Sequence, residues 1–170
     1  MPYQYKREPL SDDEVNRLTK ACETFDEKLI IWTLLDTGLR VSELANLKKD
    51  NILWQERRLI IYGKGGPYGK KTKRRILAMT DRVRGLIDHH FAEQDSAGVS
   101  SRTIQRIVKE VANKAGISKP VTPHVLHHTF SVNCIKKGIY TLPSWPSLAT
   151  TEIYSNLSPE DAIREFQNKW

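Results

Sequence analysis

The chain has 170 residues, 39% hydrophobic and 28% charged, a composition that suits one domain with a hydrophobic core. No apolar run approaches the length of a bilayer and the first residues carry no signal-like apolar stretch, which argues against a membrane or secreted protein and for a cytoplasmic one. Cys22 and Cys134 lie far apart among apolar residues, against a disulfide framework or thiolate zinc site, while the formal charge of +7 favours an anionic partner, nucleic acid first.

Ser11-Asp-Asp-Glu14 is a capping-box pattern and predicts a first helix from about residue 12 to 22. Residues 27–36, with Leu29, Ile30, Trp32, Leu34 and Leu35, are too apolar for a surface helix and predict a buried one ending near Gly38. Arg40 opens another short helix with Leu44 and Leu47 on its core face. Leu53, residues 59–62 and residues 75–79 read as strands around a Gly- and Lys-rich turn. Thr80 begins a helix reaching about residue 92, and 94–100 is a loop. Residues 101–115 place Ile104, Ile107, Val108, Val111 and Ala112 at helical spacing, with Arg102, Arg106, Lys109 and Lys114 outside. Thr122-Pro123 is an N-cap with proline at the first helical position, for a helix stopping near Gly138, and Ser158-Pro159 repeats that pattern for a last helix to Trp170. The expected fold is mainly α with one small antiparallel β-sheet (α+β), in a single domain spanning 1–170.

Several segments carry side chains suited to chemistry. The run from Lys64 to Arg75 holds Lys64, Lys70, Lys71, Lys73, Arg74 and Arg75 without an acidic residue, so it is either a solvated basic loop or a phosphate-binding one. Gly63-Lys64-Gly65-Gly66 lies between strands and lacks the Gly-Lys-Ser/Thr ending of a P-loop, which sets nucleotide binding aside. His124, His127 and His128 stand at i, i+3 and i+4, open to three readings: a hydrogen-bonded structural pair, a phosphodiester site, or a metal site. The last lacks an HExxH pattern or a cysteine pair, so no metal is expected. Tyr154 follows Thr150, Thr151 and Glu152, a setting unlike an apolar core helix; it is half-buried packing or a nucleophile.

Three segments in order, Thr37-Gly-Leu-Arg-Val-Ser-Glu-Leu44, Thr122-Pro-His-Val-Leu-His-His-Thr-Phe130 and Ala149-Thr-Thr-Glu-Ile-Tyr154, with the Gly-Lys-Gly hairpin between the first two, resemble the tyrosine recombinase (phage integrase) family, its Xer-type members included. The resemblance implies the family's catalytic-domain fold and cleavage and rejoining of double-stranded DNA through a 3′-phosphotyrosine, with no metal or nucleotide cofactor. It implies Arg40 as the first phosphate-binding arginine, with Glu43 at i+3 to orient it. Lys64 becomes the hairpin lysine that protonates the leaving oxygen, His124 the proton-transfer histidine with His128 in support, Trp145 the ring N–H donor nine residues before the nucleophile, and Tyr154 the nucleophile. Lys70, Lys71, Lys73, Arg74, Arg102 and Arg106 become backbone-contact candidates.

Two departures from the family pattern stand out. His127 occupies the second arginine position, where a permanent planar fork of donors is replaced by at most two donors and a partial charge. Only Tyr-Thr-Leu-Pro-Ser separates Ile139 from Trp145, where the family has a helix, and Trp145 beside Pro143 and Pro146 also reads as a loop plug. The resemblance implies that residues 1–170 correspond to the family's catalytic domain, with its N-terminal core-binding domain expected to be absent from them. The Ala162, Ile163, Phe166 and Trp170 stripe of the last helix packs on its own domain or on a neighbour, the latter implying a homo-oligomer on DNA. Two alternatives to a recombinase stay open: a catalytically inactive DNA-binding module of the same descent, and a type IB topoisomerase-like relaxing enzyme.

Overall fold

Helix starts in this chain follow the side chains able to take up free amides. The computed structural model describes residues 8–62, 74–139, 164 and 166–170, Arg74 by its backbone alone. Helix α1 (Asp12–Ala21) begins at Ser11, whose hydroxyl accepts the Glu14 N–H at 3.2 Å while the Glu14 carboxylate accepts the Ser11 N–H at 3.4 Å. Helix α2 (Phe25–Thr37) opens on a second capping box: Thr24 accepts from Glu27 at 3.1 Å, and Glu27 accepts the N–H groups of Thr24 and Glu23. The helix therefore starts two residues before position 27, because Glu27 closes the box instead of opening the helix.

Helix α2 is the axis of the domain. It buries Leu29, Ile30, Ile31, Leu34 and Leu35 and touches α1, α3 (Val41–Ala45), α4 (Asp81–Glu93), α5 (Ser101–Lys114) and α6 (Pro123–Lys136). A helix apolar on every side is stable only when surrounded in this way. It ends at Gly38, with φ at +73°, where a Cβ would lie 2.5 Å from two ring atoms of Phe130. Both the left-handed turn and the close approach of α6 thus require glycine there.

After α3, a 3₁₀ turn (Lys49–Asn51) leads into an antiparallel sheet of β1 (Ile52–Leu53), β2 (Arg58–Tyr62) and β3 (Arg74–Ala78), ordered β1-β2-β3. Leu59 pairs with Leu77 and Ile61 with Arg75. Leu59, Ile61 and Leu77 join the main core with Leu44 and Leu47, while Ala78 on the other face packs with Phe130, Cys134, Ile139 and Phe166. The strands and the short helix after Arg40 agree with the expectation.

Asp36, 1% exposed, ties α2 to the start of α4. It accepts from the Thr80 hydroxyl at 2.7 Å and from Arg82 Nε and Nη2 at 2.5 and 2.6 Å. Thr80 occupies the N-cap position of α4 without a side-chain capping bond, since its hydroxyl donates to Asp36. The Arg82 guanidinium lies 5.1 Å from the Trp32 ring centre. Helices α5 and α6 start at Ser100 and Thr122, whose hydroxyls accept from Thr103 and Val125.

At the C-terminus, Arg164 and residues 166–169 are helical. Phe166 is 2% exposed, and Trp170 stacks on it with ring centres 4.9 Å apart, both against Phe130. The described end of the last helix thus docks on its own domain. Cys22 and Cys134 are buried free thiols; burial pushes Cys22 up to about 11 and Cys134 higher still. Among the described residues no helix is long and apolar enough to cross a membrane.

Candidate active site

Arg40 is the N-cap of α3, in extended conformation and exposed. It offers no capping side chain, and the cap is completed from inside the helix: one Glu43 oxygen accepts the Arg40 N–H at 3.1 Å. The other Glu43 oxygen is bonded to Arg75 Nη2. Glu43 therefore holds the main chain of Arg40 and the side chain of Arg75, not the Arg40 guanidinium as its i+3 spacing suggested. The reason is that a residue at the N-cap is outside the helical repeat, so the face-sharing rule does not reach it.

Thr122 and Pro123 start α6 so that His124 falls in its first turn, exposed, and His127 one turn on, half-buried. His127 Nδ1 lies 2.7 Å from the Gly38 carbonyl oxygen, so the ring donates its Nδ1 proton to the end of α2. The two rings are 6.4 Å apart. Burial lowers the pKa of His127; the Gly38 hydrogen bond opposes the shift, and the charges of Arg40, Arg75 and His124 add to it. With the ring neutral, Nε2 is an acceptor and gains a proton only in acid. His128, the next residue, is half-buried.

The His127–Gly38 and Arg75–Glu43 hydrogen bonds thus tie the segment around Arg40 to α6 on one side and to strand β3 on the other. A cavity of about 310 Å³ beside His124 is lined by Val41 of α3, Gln105 and Lys109 of α5, and Val121, Thr122 and Pro123. An exposed arginine at the start of α3 and an exposed histidine in the first turn of α6 are groups suited to an anion with several oxygens, such as a phosphate.

Arg102 is exposed on α5, and Arg106 on the same helix holds Glu110 at 2.9 Å. The backbone of Arg74 pairs with Tyr62 at the start of β3. Lys64, Lys70, Lys71, Lys73, Trp145 and Tyr154 lie outside the described residues. The sequence marks Arg75 as a strand residue and the end of a basic run, with no role in the site. The overlooked signal is the strand alternation: Arg75 is two residues from Leu77 on the core-facing side, where a cation requires a buried partner.

A family model described as "Phage integrase family" matches residues 8–161. The tyrosine recombinase XerA of Pyrococcus furiosus is 34% identical over 169 residues, covering 88% of this chain and 57% of that protein. The tyrosine recombinase XerD of Bifidobacterium longum is 29% identical over 186 residues, covering 92% and 60%. The chain therefore spans less than two thirds of the length of these relatives. Among solved structures, an XerA recombinase superimposes with a TM-score of 0.72 at 32% identity, covering 94% of this chain and 64% of that one. The integrase from mycobacterium phage Brujita gives 0.76 at 21% identity, covering 95% and 57%, a likeness of fold. The mainly helical domain with a small antiparallel sheet is the fold these proteins share.

Proposed function

Since the chain belongs to the phage integrase family, we propose that it is the catalytic part of a site-specific tyrosine recombinase acting on duplex DNA. The observation that carries this reading is the hydrogen bond from His127 to the Gly38 carbonyl, which sets the start of α6, with His124, against the turn that leads into Arg40. Tyr154 Oη attacks the scissile phosphorus, the bond from phosphorus to the 5′ oxygen breaks, and a 3′-phosphotyrosine forms. Lys64 gives the leaving 5′ oxygen its proton, His124 assists proton transfer, and Arg40 and the Trp145 ring N–H donate to the charge gathering on the phosphate. Attack by a 5′ hydroxyl on the phosphotyrosine reverses these steps and rejoins the strand. The residues named supply the acid, the nucleophile and the donors without a metal or nucleotide.

Lys70, Lys71, Lys73, Arg74 and Arg102 serve as contacts to the DNA backbone; Arg106 is a weaker candidate because Glu110 holds it. XerH, with a similar fold at 19% identity, has been solved bound to its difH substrate. Protomers assemble on DNA through the C-terminal helix, whose Phe166 and Trp170 fit a socket that a second copy also carries. Work on prokaryotic, plasmid or phage DNA places the protein in the cytoplasm.

A second reading, a DNA-binding module without catalysis, is favoured by one observation: the residue at the second arginine position is a half-buried imidazole whose Nδ1 proton is committed to the Gly38 carbonyl. A denaturing-gel assay on nicked duplexes separates the two. A covalent adduct is expected with the natural chain and none with Tyr154→Phe. Duplex binding with no adduct from the natural chain overturns the recombinase reading in favour of the binding module.

A further inference from the structure

Arg75 stands on the core-facing side of β3, in line with Leu77 and across from Ile61. Its side chain is 12% exposed and that of its partner Glu43 is 9% exposed. Nη2 is bonded to Glu43, while Nη1 is buried without a hydrogen-bond partner. The same carboxylate accepts the Arg40 N–H, so Glu43 bridges the sheet to the cap of α3. Helix α3 has only five residues and Arg40 provides no side-chain cap, so its first turn rests on the Glu43 carboxylate. The direction in which Arg40 leaves that cap is therefore set by Glu43 within the helix, and Glu43 is in turn held from the sheet by Arg75.

We propose that Arg75 is a positioning residue: clamped on Glu43, it fixes the first turn of α3 and so aims Arg40 at the phosphate of bound DNA. This rests on the recombinase reading for its substrate. Charge alone is not enough for the role, because Glu43 must be held in one orientation while its other oxygen faces the Arg40 amide. The planar guanidinium holds Glu43 through Nη2 in a fixed direction that a rotatable lysine ammonium does not reproduce.

The test uses the whole chain with Arg75→Gln, Arg75→Lys and the double variant Glu43→Gln/Arg75→Gln, which replaces the ion pair by two neutral amides. Thermal unfolding, affinity for nicked duplex and the single-turnover rate of adduct formation at saturating DNA are measured together. Arg75→Gln and the double variant are expected to lose about 30- to 100-fold in rate, the scale of a misaimed group. Duplex affinity should stay within about threefold, since it is spread over many phosphate contacts. Arg75→Lys should recover part of the rate, and the double variant should melt near the natural chain. A double variant that melts and cleaves like the natural chain overturns the proposal, as does a loss in Arg75→Gln that only follows its unfolded fraction.

The Arg40 Nε–H resonance gives a readout without catalysis. It should shift when duplex is added to the natural chain and fail to shift in the double variant. If the natural chain binds duplex but forms no adduct, the recombinase reading fails, and the resonance alone decides the proposal: an equal shift in both proteins overturns it.

Discussion

His127 commits its Nδ1 proton to Gly38, and its neighbours resist a second one. A phosphate placed against this ring at neutral pH would meet a lone pair on Nε2, whereas an arginine would present a permanent donor. Replacing His127 by arginine should therefore raise the adduct rate by roughly 10²- to 10³-fold at about pH 7.5, the cost of one missing electrostatic contact. The gap should narrow in acid: the natural chain speeds up as His127 gains its Nε2 proton, and the arginine variant does not. Single-turnover rates from about pH 5.5 to 8 in both proteins test this. Because the folded pKa lies below that of the unfolded chain, the linked stability is intact above about pH 6.5 and is lost as pH falls through the lower folded value. The acid that charges the ring thus also weakens the fold. At this scale the local patterns made the positions of Arg40 and His124, each at the start of a helix, legible from sequence. Arg75 was not, because its partner Glu43 is 32 positions away and only the folded sheet brings them together.

Elements were legible wherever a single local rule decided them. The Ser11 capping box, the Thr122-Pro123 start of α6 and the apolar run of α2 each specify their helix. The start of α2 was misplaced because apolar residues begin at Phe25 while the acidic Asp26 and Glu27 obscure the run, and the Thr24 to Glu27 box explains both acids. The end of α2 is the element most exposed to mutation. Gly38→Ala puts a Cβ 2.5 Å from the Phe130 ring and forces a left-handed alanine. The two effects should together cost about 2 to 4 kcal/mol in urea unfolding. Because α6 carries both Phe130 and His127, the variant should also disturb the site. A loss under about 1 kcal/mol would mean that α6 moves aside without penalty.

For the whole molecule, the decisive contact is the aromatic socket at the C-terminus. Phe130, Cys134 and Ile139 line it from the domain, and Phe166 and Trp170 fill it. Removing residues 164–170 bares this apolar surface and should lower the melting temperature and abolish assembly on DNA. Sedimentation with and without duplex reads the second effect, and unchanged assembly would place the protomer link elsewhere. Whether the stripe packs at home or on a neighbour was not legible in sequence, since both seats present the same apolar surface. The Gly38 carbonyl has a consequence for how this domain diverges from its relatives. The atom that orients residue 127 belongs to the main chain, so it is kept through any substitution that leaves the Gly38 turn in place. Any donor-bearing side chain at 127 inherits the same anchor, and drift there can alter catalytic strength by degrees while leaving the architecture intact.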